Sequence, residues 1–274
     1  MMNNLKYITI VIPLRIDSEE RRANLNVVLD YLCNFIGITV MVLEADTAPH
    51  YVPDAQCPIL KYQFIEDHDP VFYRTRYLNR MLQQVNTPVA GIWDSDVIVH
   101  IEQVAESVRY CLSGVTLCYP YDGRFYAVSD HLSRLYRTTK NLDILNQNES
   151  QHWLMHGRYS VGGAFTVNVE KYLAAGGENE NFYGWGPEDT ERRERICNLG
   201  LKVSRVQGSL FHLHHPRGVN SNFANRERAI VNRREYMKIC RMSREELEKY
   251  ISTWSWRQQT IDRRNVRGFR LRMF

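Results

Sequence analysis

A chain of 274 residues can bury a full core without metal or disulfides to hold it, which excludes the small stapled scaffolds. Its apolar share of 44% and charged share of 24% are those of an ordinary globular protein and exclude a disordered chain. The formal charge of +4 is not uniform: six arginines between Thr253 and Phe274 face one acid, Asp262, and the rest of the chain is close to neutral, which excludes a basic nucleic-acid-binding body.

Residues 7–12 (YITIVI) form a β-branched run closed by Pro13 and predict a buried strand. No signal peptide is visible, and the run falls far short of the roughly 20 apolar residues that span a bilayer, so a cytoplasmic protein is expected. Ser18 opens a helix with Leu25, Val28, Leu29 and Leu32 on one face. ITVMVLE (38–44) and ILKYQFI (59–65) read as further strands, a helix follows from Tyr73, and PVAGIWD (88–94) is a fourth strand. A helix over residues 101–112 and a strand at VTLCYP (115–120) complete the alternation. This rhythm predicts an α/β fold with a mostly parallel central sheet flanked by helices. Such sheets bind ligands at the carboxyl ends of their strands, where Pro13-Leu14-Arg15 and Asp94-Ser95-Asp96 fall.

The second half is less regular. It predicts a helix over residues 126–145, a polar loop, a short strand at SVGGAFTVN (160–168), a brief helix ended by Gly176 and Gly177, and a helix from Pro187 to Gly200 with Ile196 and Leu199 as its buried face. Two strand-like runs, LKVSRV and SLFHLHHP, precede helices over residues 225–240 and 243–253. The six cysteines form no CxxC pair, and four lie in apolar or periodic segments, which favours free thiols in a reducing compartment over a disulfide framework.

Three clusters carry chemistry. Asp94 and Asp96 sit two residues apart after a buried strand, and a hard divalent cation relieves the repulsion of two such carboxylates; a solvated turn is the plain alternative. His212, His214 and His215 add imidazole, and an Asp/His donor set suits Mn²⁺ better than Mg²⁺. A straight strand pairs His212 with His214, whereas a bend near Pro216 brings in His215. The third cluster is Gly184-Trp185-Gly186-Pro187-Glu188-Asp189. Its proline and acids are a sound helix start, but a tryptophan between glycines also presents a flat surface to a sugar ring, beside an acid placed to act as general base.

The string NENFYGWGPED, followed by a histidine-rich strand, resembles the C-terminal module of β-1,4-galactosyltransferases (glycosyltransferase family 7) and the bacterial family 2 polysaccharide glycosyltransferases that share it. The resemblance runs over most of the chain. It implies a GT-A type, Rossmann-like fold with an acceptor-side module at its C-terminal end. On the donor-nucleotide side it implies Pro13, Arg15, Phe72, Arg74 and Asp94. For the metal it implies Asp96 with His212 and His215, and for the acceptor side Gly163, Tyr183, Trp185 and Glu188, with Asp189 as base. Pro187 and Thr190 stand where the family has glycine and a third acid, and Leu14 where the animal enzymes have phenylalanine, so the acceptor pocket is expected to differ.

The function expected is a metal-dependent, inverting transfer, with Mn²⁺ or another divalent cation, of a hexose or N-acetylhexosamine, galactose-type favoured, from a UDP-sugar to a carbohydrate or lipid-linked saccharide in surface polysaccharide or glycoconjugate synthesis. The alternatives are a non-catalytic UDP-sugar- or carbohydrate-binding protein and a metal-dependent phosphoester hydrolase. Residues 1–120 are expected to bind the nucleotide sugar and residues 121–252 the acceptor, within one domain. In the tail, residues 253–274, Trp254, Trp256, Phe269 and Phe274 interleave with arginines, which suits peripheral contact with an anionic membrane face; a solvated extension is the alternative.

Overall fold

The computed structural model describes residues 2–53, 57–155, 157–218 and 225–257. After a 3₁₀ turn the chain runs β1 (Ile8–Leu14), α1 (Glu19–Cys33), β2 (Thr39–Asp46), β3 (Leu60–Glu66), α2 (Arg74–Leu82), β4 (Val89–Trp93), β5 (Val97–Val99), α3 (Ile101–Leu112) and β6 (Leu117–Tyr119). Then come β7 (Phe125–Ala127), α4 (Asp130–Thr139), α5 (Asp143–Gln147), β8 (Trp153–Leu154), β9 (Ala164–Asn168), α6 (Val169–Ala174), α7 (Glu188–Asn198), β10 (Val203–Arg205), β11 (Leu210–His212), α8 (Arg226–Arg241) and α9 (Arg244–Ser252).

Seven strands form the main sheet in the order β10-β6-β9-β4-β1-β2-β3. The pairs β1–β2, β2–β3, β1–β4 and β6–β10 are parallel, and β9 runs antiparallel to both β4 and β6. The sheet draws strands from both sides of residue 120. Chain order reverses at β1, with β2 on one side and β4 on the other, and that is where open α/β sheets leave a ligand crevice. A smaller sheet, β5-β11-β7-β8, stands beside it.

The apolar runs explain the core. Every residue of β1 and of β4 is buried, as continuous apolar runs in the middle of a sheet covered on both faces require. In α1, Ser18 caps the first turn by accepting from Arg21 N, and Leu25, Val28, Leu29 and Leu32 are buried. Pro13 does not end β1 as the sequence predicts. It pairs with Leu43 of β2, beyond the last β4 partner of β1, so its missing N–H leaves no ladder bond unmade.

Three other expectations are corrected. The predicted helix over residues 126–145 is divided into β7, α4 and α5. Ser129 is extended and caps α4 at Leu132 N, and Lys140 closes that helix in a left-handed conformation at φ 54°. Cys33 and Cys57 form a disulfide, with Cα atoms 6.3 Å apart. Each precedes a strand of the parallel β2–β3 pair, so topology brings them to the same sheet edge despite their sequence spacing. The inference from scattered thiols to a reducing compartment falls with it; Cys111, Cys118, Cys197 and Cys240 are free. Finally, Trp254 and Trp256 belong to the body. Trp254 is 3% exposed and stacks on Trp256 at 4.8 Å, and Trp256 Nε1 donates to the Gly176 carbonyl at 3.3 Å. Phe269, Phe274 and the tail arginines beyond Arg257 lie outside the described residues. Among the described residues no helix is long and apolar enough to cross a membrane.

Trp254→Ala is expected to lower stability by about 3–5 kcal/mol through loss of its packing, read as a lower urea midpoint at unchanged slope.

Candidate active site

The carboxyl ends of β1 and β4 open into a cleft of about 650 Å³. Pro13, Arg15, Phe72, Arg74, Asp94, Asp96, Gly163, Trp185, Glu188, Asp189, His212 and His215 all line it. Tyr183 does not: its hydroxyl donates to Asp69, its ring meets Tyr73 edge-on, and it serves to hold the loop before Trp185.

On the β1 side, Arg15 is committed to the protein. It donates to the carbonyls of Ala45 and Asp69, each at 2.8 Å, and to Asp67 Oδ2 at 3.0 Å, and its guanidinium lies 5.4 Å from the Phe72 ring centre. It braces the end of β2 and the turn before α2, and so fixes Phe72, which stacks on Tyr77. Arg74, at the start of α2, donates to Asp94 Oδ1 at 2.6 Å and leaves Nη1 buried without a protein partner. Burial raises the Asp94 carboxyl, only partly offset by Arg74 and reinforced by Asp96.

A second group forms where the two sheets meet. Antiparallel pairing of β5 with β11 sets His212 opposite Val97, and Leu213 N donates to the Asp96 carbonyl at 2.8 Å. His212 Nε2 then lies 3.5 Å from Asp96 Oδ1 and His215 Nε2 3.1 Å from Asp96 Oδ2. One donor atom from each lies within 4.8 Å of the others. His214 turns away, 3.7 Å from Asp130, so the bend selects His215. The three side chains fit a divalent cation: Asp96 Oδ1 is buried without a hydrogen-bond partner, and one carboxylate with two imidazoles is a donor set for Mn²⁺ or a similar ion. Burial alone would raise Asp96, but His212 and the bond from His215 hold it far below the usual carboxylate range. Burial pushes His212 down; His215 is held above its ordinary value, against burial, by its bond to Asp96. Arg21, in the first turn of α1, reaches the same carboxylate at 3.2 Å. Nothing in the sequence singles it out, because it meets Asp96 only through the fold.

The opposite wall is the start of α7. Pro187 is its cap residue rather than its first helical residue, and Glu188, Asp189 and Glu191 fill the first turn, where the helix dipole favours anions. Trp185 is 40% exposed at the cleft and its carbonyl accepts from Asn232 of α8 at 3.2 Å. Asp189 lines the cleft with its side chain 33% exposed. Its Oδ2 comes so close to Gly162 that a Cβ there would lie 2.7 Å away, and at Gly163, with φ +77°, a Cβ would strike the Phe125 ring at 2.4 Å. The glycine pair is therefore a close-approach device for the acid and for Phe125.

The buried face of α7 differs from the expectation. Ile196 is buried, but so are Glu188, Glu191, Arg192 and Arg195. Arg195 pairs with Glu191 at 2.7 Å and donates to the carbonyls of Ala175 and Gly177; Arg192 pairs with Glu178 and with Asp189, each at 2.7 Å. Helix α2 is tied to the same loop, with Asn79 exchanging bonds with the Glu178 backbone at 2.8 and 2.9 Å and Thr75 donating to the Phe182 carbonyl at 3.1 Å. Sequence patterns count these charges as surface; the surplus of acids and arginines in a helix with few apolar residues was the available signal.

Glu188 is buried, and burial together with the Asp189 charge pushes its carboxyl from 4.5 to about 8. The fold thus favours the neutral acid, so its contribution to stability is complete below pH 4.5 and is lost as pH rises toward about 8. Glu188→Gln is expected to flatten that part of the stability–pH curve, measured by urea unfolding at steps from pH 4.5 to 8.5.

Residues 144–216 match the family model described as the N-terminal domain of galactosyltransferase. Beta-1,4-galactosyltransferase 7 of mouse and of human is 35% identical over 71 residues, 24% of this chain and 22% of those proteins. Mouse beta-1,4-galactosyltransferase 4 is 31% identical over 62 residues, 23% of this chain and 18% of that protein. The chain thus spans about a fifth of the length of the curated relatives it matches. Among solved structures, the mannosyltransferase PcManGT of Pyrobaculum calidifontis, in complex with GDP-Man and Mn²⁺, superposes with a TM-score of 0.53 at 15% identity, covering 93% of this chain and 72% of that one. The fold is of the GT-A type, and residues 144–216 resemble a galactosyltransferase module.

Proposed function

We propose that the protein is a glycosyltransferase that moves a hexose or N-acetylhexosamine, galactose-type favoured, from a UDP-sugar to a carbohydrate hydroxyl with inversion, in polysaccharide or glycoconjugate synthesis. The observation that carries this reading is the meeting, in one cleft at the reversal of strand order, of the Asp96–His212–His215 group on one wall and Asp189 beside Trp185 on the other. The galactosyltransferase-type module supports it, and the Mn²⁺ complex of the mannosyltransferase with the same fold supports the choice of metal.

In this reading residues 1–120 hold the donor. Phe72, braced by Arg15, packs on the base, while Arg74 and Asp94 contact the nucleotide sugar. Asp96, His212 and His215 would hold the divalent cation, whose chemistry is to neutralise charge on the diphosphate as it departs. Residues 121–252 hold the acceptor: Trp185 takes the flat face of a sugar ring and neutral Glu188 offers a hydroxyl to its oxygens. Asp189 takes the proton from the acceptor hydroxyl as that oxygen bonds to the anomeric carbon. The bond from that carbon to the diphosphate breaks and UDP leaves with the electron pair. A single base on the face opposite the leaving group gives inversion.

The test is a screen of UDP-sugars with Mn²⁺, scored by UDP release with and without saccharide acceptors. Release that rises with acceptor supports transfer; phosphate release without an acceptor effect points to a hydrolase, and UDP binding without turnover to a binding protein. Asp189→Asn is expected to lower acceptor-dependent turnover by about 10²–10⁴-fold, and full activity in that variant removes the base assignment. Asp96→Asn is expected to weaken Mn²⁺ binding at least tenfold by calorimetry. We also place the enzyme at an anionic membrane face through the basic tail, acting on a lipid-linked saccharide. Deletion after Arg257, which spares Trp254 and Trp256, should lower binding to anionic vesicles while leaving UDP release intact, and unchanged vesicle binding would refute that placement.

A further inference from the structure

We propose that Arg192, backed by Glu178, is a positioning residue that fixes one oxygen of Asp189 and thereby aims the other into the cleft. The inference rests on the reading of Asp189 as the base.

Arg192 is fully buried, and each of its nitrogens has a partner. Nε donates to Glu178 Oε1 at 3.1 Å and Nη2 to Glu178 Oε2 at 2.7 Å, a two-point grip that fixes the plane of the guanidinium. Nη1 is left for Asp189 Oδ1, also at 2.7 Å. The Phe165 ring lies under the guanidinium, its centre 4.1 Å away, and closes the remaining face. Arg192 sits one helical turn after Asp189, so the pair spans i to i+3 on the α7 face turned toward Phe165 and Glu178. Glu178 is itself held, by the Tyr172 hydroxyl at 2.6 Å and by Asn79 at its backbone N–H. The carboxylate of Asp189 therefore has one oxygen pinned by a rigid buried cation. The other lies against Gly162, a residue of the cleft wall, where only a glycine leaves room for it.

Stability does not require this arrangement. A buried ion pair loses more in desolvation than it commonly regains, and well-packed apolar residues of similar size do as well or better. Two fully buried charges beside a carboxylate one-third exposed are accounted for by what they do to that carboxylate. A base acts on a proton within hydrogen-bond reach, and a displacement of about 1 Å costs on the order of 100-fold in rate.

The decisive variant is the double replacement Glu178→Leu with Arg192→Leu, which removes the grip without leaving an unpaired buried charge. It leaves the buried Tyr172 hydroxyl without its acceptor and is expected to melt a few degrees lower, while kcat for acceptor-dependent transfer falls by about 10–100-fold, with the KM for the UDP-sugar within about twofold of the parent. Arg192→Lys, which keeps a cation but not the fork, is expected to retain more of kcat than Arg192→Met and provides a second measurement should the double variant fold poorly. In an Asp189→Asn background, Arg192→Met should lower kcat no further, because both changes remove one function, whereas a purely structural residue would add its own loss. A folded double variant, or a folded Arg192→Met, with parental kcat overturns the proposal while an inactive Asp189→Asn leaves the base reading standing. Full acceptor-dependent transfer by Asp189→Asn overturns both.

Discussion

The cleft depends on a three-residue antiparallel pairing. β5 carries the chain away from the end of β4, and β11 returns more than a hundred residues later to lie beside it. That pairing alone sets His212 next to Asp96, and the backbone bond from Leu213 to the Asp96 carbonyl fixes the register. A slip of one residue would turn the imidazole to the other face of the small sheet and dissolve the cluster. The bend after His212 completes it by bringing in His215 and sending His214 toward Asp130.

The two walls of the cleft solve opposite electrostatic problems. Around Asp96 the charges are few, partly unpaired and gathered from α1, the end of β4 and β11, an arrangement open to a further cation. Around Asp189 the charges are many and internally matched: Glu178 with Arg192, Glu191 with Arg195. Glu188 is the exception there, a buried acid whose Oε2 has no protein partner. One wall leaves an oxygen of Asp96 without a hydrogen-bond partner, and the other carries its own compensation, down to the pairing of Asp189 with Arg192.

Much of this was legible in the sequence, for physical reasons. β1, β2 and β4 are buried on both faces, and such strands write themselves as unbroken apolar runs. Ser18, with Leu25, Val28, Leu29 and Leu32, marks α1 by local rules of capping and periodicity. Asp94, Asp96, Trp185 and Asp189 stand out because their residue types are costly without a purpose. What escaped is what depends on distant partners. β7 is three residues long and exists because β11 and β8 flank it, so no local pattern announces it. Arg21, Glu178 and Arg192 look like surface charge until the fold supplies their counterions. Cys33 and Cys57 are joined by sheet topology rather than by spacing.

The bonds from Asn79 and Thr75 of α2 to the segment around Glu178 and Phe182 have a further meaning for how such proteins diversify. The helix bearing Arg74 and the loop leading to Trp185 are stitched together as one piece, so the two parts of the cleft that they line do not vary independently. These bonds end on backbone atoms of Glu178 and Phe182, so a chimera that exchanged the segment after Gly176 while keeping α2 would hold the stitch only where the new loop follows the same path. On the proposed reading, a new sugar specificity arises by changes within the stitched unit or by its transfer whole.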